Sequence, residues 1–189
     1  DSRPTSVQAC LARVSRRPSA AASGEASSGF SAQTRPAGQR SRTSQVTLPA
    51  NVAGDHGLYA QDDRGISPSP NMVRVSALQN ALEMEPNDTP AQASATGPAP
   101  LALNGIIEKP GDVDYYKFSA KKGEQYDIRC YARSTLRSPL DSVMSVLNAQ
   151  GAGIAGNDDA VGPDSLIRFA VPADGDYLIA INDHLRQGG

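Results

Sequence analysis

The chain has 189 residues, a net charge of −2 and a hydrophobic fraction of 39%, with 17 Gly, 14 Pro, no Trp and two Cys. Two cysteines, Cys10 and Cys130, exclude a disulfide-rich scaffold and a zinc site built from thiolates. No apolar run approaches the roughly 18 residues of a membrane span, so none is expected.

Charge is unevenly spread. Residues 1–50 hold 7 Arg and no Lys against 2 acids, whereas the rest of the chain is acidic. Large apolar residues are few there, and Val7, Leu11, Val14 and Phe30 are the candidate core seeds. That burial cannot offset an ordering entropy of about 1–2 kcal/mol per residue, so 1–50 is expected to be a disordered Ser/Ala/Arg-rich segment. A nucleic-acid partner is not expected, because the remainder of the chain would repel phosphates. The chain opens on Asp1 rather than Met and is read as a fragment, so a missing leader says nothing about export.

Residues 51–82 read as a linker or the remnant of a preceding β domain. Within them Asn71 to Ser76 alternates like a strand, with Val73 and Val75 on one face. From residue 83 the pattern is all-β: Leu101–Glu108, Asp114–Ala120, Glu124–Ala132, Ser142–Asn148, Leu166–Val171 and Tyr177–Asn182 are separated by Gly-containing turns. Short strands without helical periodicity point to a β-sandwich or barrel over 83–189. Tyr126, Ile128 and Cys130 share one face of their strand, which makes Cys130 a buried apolar residue rather than a nucleophile. Gly151-x-Gly153-x-x-Gly156 matches a dinucleotide motif literally, but turn residues follow where a helix must open. It reads as a glycine-rich hairpin, and Asn157, Asp158 and Asp159 as an acidic turn in preference to a second cation site. Neither G-x-S-x-G nor H-E-x-x-H occurs, His56 and His184 have no partner motif, and no catalytic residue is assigned.

The most informative stretch is Glu83-Met-Glu85-Pro-Asn87-Asp88. Pro86 biases Glu85 toward an extended backbone, and in an extended chain positions 83, 85 and 87 point to one side. Asp112 and Asp114 do the same at the entry to the next strand but one. If the two segments meet, Glu83, Glu85, Asn87, Asp88, Asp112 and Asp114 converge. This donor set suits Ca²⁺, which takes about 6–8 oxygens, better than Zn²⁺ or Mg²⁺. The alternative is a set of solvated turn residues. Five carboxylates exceed what one divalent ion neutralises, so one or two of them should stand back from it.

Glu83-x-Glu-Pro-Asn-Asp88, Leu103-Asn-Gly105 and Gly111-Asp-x-Asp-Tyr-Tyr-x-Phe118 together resemble the bacterial pre-peptidase C-terminal domain. Lys122-Gly123, Ser138-Pro-Leu-Asp141, Asn157-Asp-Asp159 and Val171-Pro-Ala-Asp-Gly-Asp-Tyr177 extend the resemblance in order. It covers about residues 83–189 and is most similar to forms in secreted planctomycete-type proteins. It implies a jelly-roll-like antiparallel β-sandwich, exported to the periplasm, cell surface or medium and appended to a catalytic or β domain of the same polypeptide. The related collagen-binding domains of clostridial collagenases bind calcium, and their pattern carries over to Glu83, Glu85, Asn87, Asp88 and Asp114, with Asp112 less secure. The family pattern continues past Gly189, so a final strand is expected to be missing. The function implied is a calcium-stabilised, non-catalytic accessory domain, serving as spacer or as a module for an extracellular protein or polysaccharide; in the binding reading Tyr115 or Tyr131 would offer contact area, although a strand tyrosine is more often a core residue. The competing reading is a fragment of an exported peptidase or other hydrolase whose catalytic domain lies outside this chain.

Overall fold

The computed structural model of the chain describes residues 53–63 and 65–188, and the backbone of three strands before them. In chain order the strands are β1 (Cys10–Arg16), β2 (Phe30–Thr34), β3 (Arg42–Val46), β4 (Gly54–Leu58), β5 (Gln61–Asp62), β6 (Gly65–Ile66), β7 (Asn71–Val75), β8 (Gln79–Leu82), β9 (Ser94–Ala95), β10 (Leu101–Gly105), β11 (Val113–Ala120), β12 (Gln125–Arg129), β13 (Ser142–Asn148), β14 (Gly153–Asn157), β15 (Leu166–Ala170) and β16 (Gly175–Asp183). One short helix, α1 (Arg133–Leu136), follows β12. The disorder expected over 1–50 falls for the most part outside the described residues.

Two five-stranded sheets face each other. The first has the order β15-β12-β1-β10-β8 and the second β14-β13-β16-β11-β9. The register is antiparallel except where β8 meets β10 and β9 meets β11, which are parallel. Alternation along the strands produces the layers. In β11, Asp114, Tyr116, Phe118 and Ala120 point inward, while Lys117 and Ser119 are exposed. Leu103, Tyr126, Ile128, Ile167 and Phe169 from the first sheet meet Tyr116, Phe118, Met144, Val146, Tyr177 and Ile179 from the second in one core. Each such side chain contributes roughly 1.5–3 kcal/mol by leaving water. Aromatic edges lock the layers: Phe118 meets Tyr126 at 5.6 Å and 79°, and Phe169 meets Tyr177 at 5.1 Å and 66°. Cys130 is fully buried in this core, as its strand face predicts.

Several details differ from the sequence reading. The strand expected over Glu124–Ala132 stops at Arg129 because the chain turns into α1, whose first amides bond to the buried Asp164. The glycine-rich segment is indeed a hairpin, and its second arm forms the edge strand β14. β8, inside the span read as a linker, joins the first sheet. Tyr131 is no exposed contact residue: it is 5% exposed, with the Arg74 guanidinium 3.9 Å and the Arg129 guanidinium 4.7 Å from its ring centre. Stacking of cations on its face holds the β4–β7 hairpin against the sandwich.

Candidate metal centre

Segment 83–88 leaves β8 and crosses one end of the sandwich from the first sheet to the second. Glu83 N donates to Asn104 O at 2.9 Å, continuing the β8–β10 ladder. Met84 N donates to Ser94 Oγ at 2.9 Å, and Tyr115 N donates to Asn87 O at 3.1 Å, fastening the far end to β11. The backbone is therefore pinned at both ends, and the alternate side chains of Glu83 and Asn87 turn inward.

There they meet Asp114, the first inward-facing residue of β11. One carboxylate oxygen from each of Glu83, Glu85 and Asp114 lies within 4.8 Å of the others. Opposite oxygens around a Ca²⁺ ion at 2.3–2.6 Å stand about 4.6–5.2 Å apart, so the three fit one coordination sphere. Glu83 is oriented by Ile106 N, which donates to its Oε1 at 2.6 Å, and by the Tyr116 hydroxyl, 3.3 Å from its Oε2. Asn87 N donates to Glu85 Oε2 at 3.1 Å. The fully buried Asn87 carboxamide reaches both glutamates. With its nitrogen toward Glu83 the contact is 3.5 Å; with the nitrogen toward Glu85 it donates to Oε1 at 2.9 Å. In the first orientation the amide oxygen and the Glu85 carboxylate crowd each other, a repulsion that a cation between them removes.

Asp114 is 1% exposed, and its Oδ1 has no hydrogen-bond partner. An ionised carboxylate in that position is costly. Burial, reinforced by a hydrogen bond with Glu83 and its charge, pushes the Asp114 carboxyl up to about 10. The β10 end completes the cradle. Gly105 packs so closely that a β-carbon there would collide with the Tyr116 hydroxyl and Glu83 Oε2, and would stand 2.8 Å from Asp114 Oδ2.

Asp88 and Asp112, the other two acids of the sequence set, form a separate group around Lys109. The Lys109 ammonium is 3.3 Å from Asp88 Oδ1 and 3.7 Å from Asp112 Oδ1. Asp112 is 2% exposed, accepts from Glu108 N at 2.7 Å through Oδ2, and leaves Oδ1 without a hydrogen bond. Burial raises the Asp112 carboxyl, while a hydrogen bond to Asp112 and another to Lys109 hold Asp88 low. The third acidic stretch is a turn: Asn157 Oδ1 accepts from Ala160 N at 3.0 Å and Leu166 N at 2.9 Å, and Asp158 Oδ1 accepts from Asp159 N at 3.0 Å.

Sequence reasoning did not assign roles to Gly105, Lys109 or the Tyr116 hydroxyl. Gly105 lies within a recognised motif, but nothing in one sequence says which atoms would strike a β-carbon. No helix among the described residues is long and apolar enough to cross a membrane.

The family model described as the bacterial pre-peptidase C-terminal domain matches residues 112–183. A 116-residue stretch is 39% identical to a Deinococcus radiodurans protein named "Probable subtilase-type serine protease". The alignment covers 58% of this chain and 16% of that protein.

Proposed function

We propose that this pre-peptidase C-terminal domain is a non-catalytic accessory module of an exported bacterial protein, tied together by one calcium ion. Glu83, Glu85 and Asp114 would hold the ion, with the Asn87 amide oxygen as a fourth donor. The observation that carries the reading is Asp114, a buried carboxylate whose Oδ1 has no hydrogen-bond partner and which offers an oxygen to two glutamates at the spacing of one coordination sphere. All donors are hard oxygens, which suits Ca²⁺. The ion would replace mutual repulsion with attraction and clamp segment 83–88 across both sheets. Sites of about 10⁻⁴–10⁻³ M are adequate outside cells.

The clamp makes the domain a stiff spacer between its neighbours in the polypeptide, or a platform for an extracellular protein or polysaccharide. The likeness to a subtilase-type protein supports a parent that is an exported serine peptidase, with its catalytic domain elsewhere in the polypeptide.

Terbium luminescence tests the ion site. The chain has no Trp, so sensitised emission must come from tyrosine, and the Tyr116 hydroxyl lies beside Glu83. Emission that rises with Tb³⁺, is displaced by Ca²⁺ and is lost in Asp114→Asn supports the site. Absence of saturable emission, together with no calorimetric signal for Ca²⁺, removes it.

A further inference from the structure

The calcium reading leaves an electrostatic remainder. Five carboxylates gather at this end of the sandwich, and one divalent ion cannot balance them. The two that the ion does not touch, Asp88 and Asp112, have a cation already. The Lys109 side chain extends from the β10–β11 connection with its ammonium 3.3 Å from both Asp88 oxygens and 3.7 Å from Asp112 Oδ1. That Asp112 atom is buried and makes no hydrogen bond. An almost fully buried carboxylate oxygen without a donor, beside a second carboxylate, is the environment a metal ion would stabilise. Here the chain places a single positive charge at that position.

We propose that Lys109 is the built-in monovalent counter-ion of the Asp88–Asp112 pair, limiting this chain to one divalent ion and excluding a second at that pair. The inference rests on the calcium reading, and it adds a stoichiometry and a residue that sets it. Geometry supports the assignment. The turn that carries Lys109 is closed by Asp112 N donating to Lys109 O at 3.1 Å and by Glu108 N donating to Asp112 Oδ2. The ammonium and Asp112 therefore belong to one short loop, and Asp88 meets them from segment 83–88. The Lys109 side chain is 60% exposed, so the ammonium is held by the two carboxylates rather than by packing, and a neutral side chain would leave the pair open to an ion from solution. With Lys109 and one Ca²⁺ in place, the five carboxylates carry a residual charge of −2; a second Ca²⁺ in place of the ammonium would bring that to −1.

Calcium stoichiometry by native mass spectrometry, checked by isothermal titration with CaCl₂, decides the matter. The expected result is one ion for the unsubstituted chain, two for Lys109→Gln and one for Lys109→Arg. Adding Asp112→Asn to Lys109→Gln returns the count to one. Two ions on the unsubstituted chain, or one on Lys109→Gln, overturns the role of Lys109 while leaving the first site standing. No ion on any of these proteins removes the calcium reading and this inference with it. Because Lys109 is exposed, loss of folding is not expected, and the Arg variant controls for its packing.

Discussion

Gly105 lies so close to Glu83 that a single added carbon would collide with its Oε2. The neighbours that would have to yield are both committed: Glu83 to Ile106 N, and Tyr116 to the core. Gly105→Ala should therefore cost roughly 1–3 kcal/mol by overpacking. It should also weaken ion binding at least tenfold, because Glu83 is the group displaced. Urea denaturation in EDTA reads the first effect and Tb³⁺ titration the second. Unchanged affinity would show that Glu83 is not a ligand.

Calcium should raise the melting temperature. At 100 times the dissociation constant an ion bound only by the folded state contributes about 2.7 kcal/mol. For a chain of this size that is roughly 5–11 °C. Thermal melts in EDTA and in CaCl₂ measure the difference, which should vanish in Asp114→Asn and Glu83→Gln. A difference that persists in both variants would place the ion elsewhere.

The metal-free protein should lose stability as pH rises. The Asp114 carboxyl is raised from 3.8 to about 10 in the folded state, so folding retains a proton that the unfolded chain releases. The stabilisation is complete below about 3.8 and is lost as pH climbs toward about 10. Asp112 shifts in the same direction. Asp88, held low, acts only at acid pH, where its contribution is lost as pH falls. Between pH 5 and 8 stability in EDTA should drop by roughly 1 kcal/mol per pH unit. Denaturant titrations at several pH values test this. Asp114→Asn should flatten the slope, and calcium should restore stability at neutral pH.

Asp164 supplies a control away from the ion. It is fully buried and accepts from Ala132 N at 3.3 Å, Arg133 N at 2.9 Å, Ser134 N at 3.4 Å and the Ser134 hydroxyl. Asp164→Ala strands these donors and should cost about 2–3 kcal/mol. Its calcium-induced rise in melting temperature should match that of the unsubstituted chain.

How much of this was legible beforehand differs by level. Strand β13 is legible with its bounds, because Ser142–Asn148 is an apolar-rich run closed by a Gln-Gly turn. The pattern for β12 runs three residues too far at its C-terminal end, since the stop at Arg129 depends on Asp164, more than thirty residues away. Tyr131 is open to two readings in the sequence, contact residue or core, and only the fold decides for burial by bringing Arg74 over its ring.

The sequence by itself determined the β class, the strand alternation and the placing of Glu83, Glu85 and Asn87 on one side of an extended segment. These follow from the two-residue period of an extended chain and from local turn chemistry. Tertiary structure alone decided that carboxylate oxygens of Glu83, Glu85 and Asp114 come within 4.8 Å of one another, that Asp88 and Asp112 gather around Lys109 instead, and that Gly105 packs against Glu83 and Tyr116. Convergence of strands distant in the chain depends on how two sheets stack, and no local pattern encodes the distances across that gap.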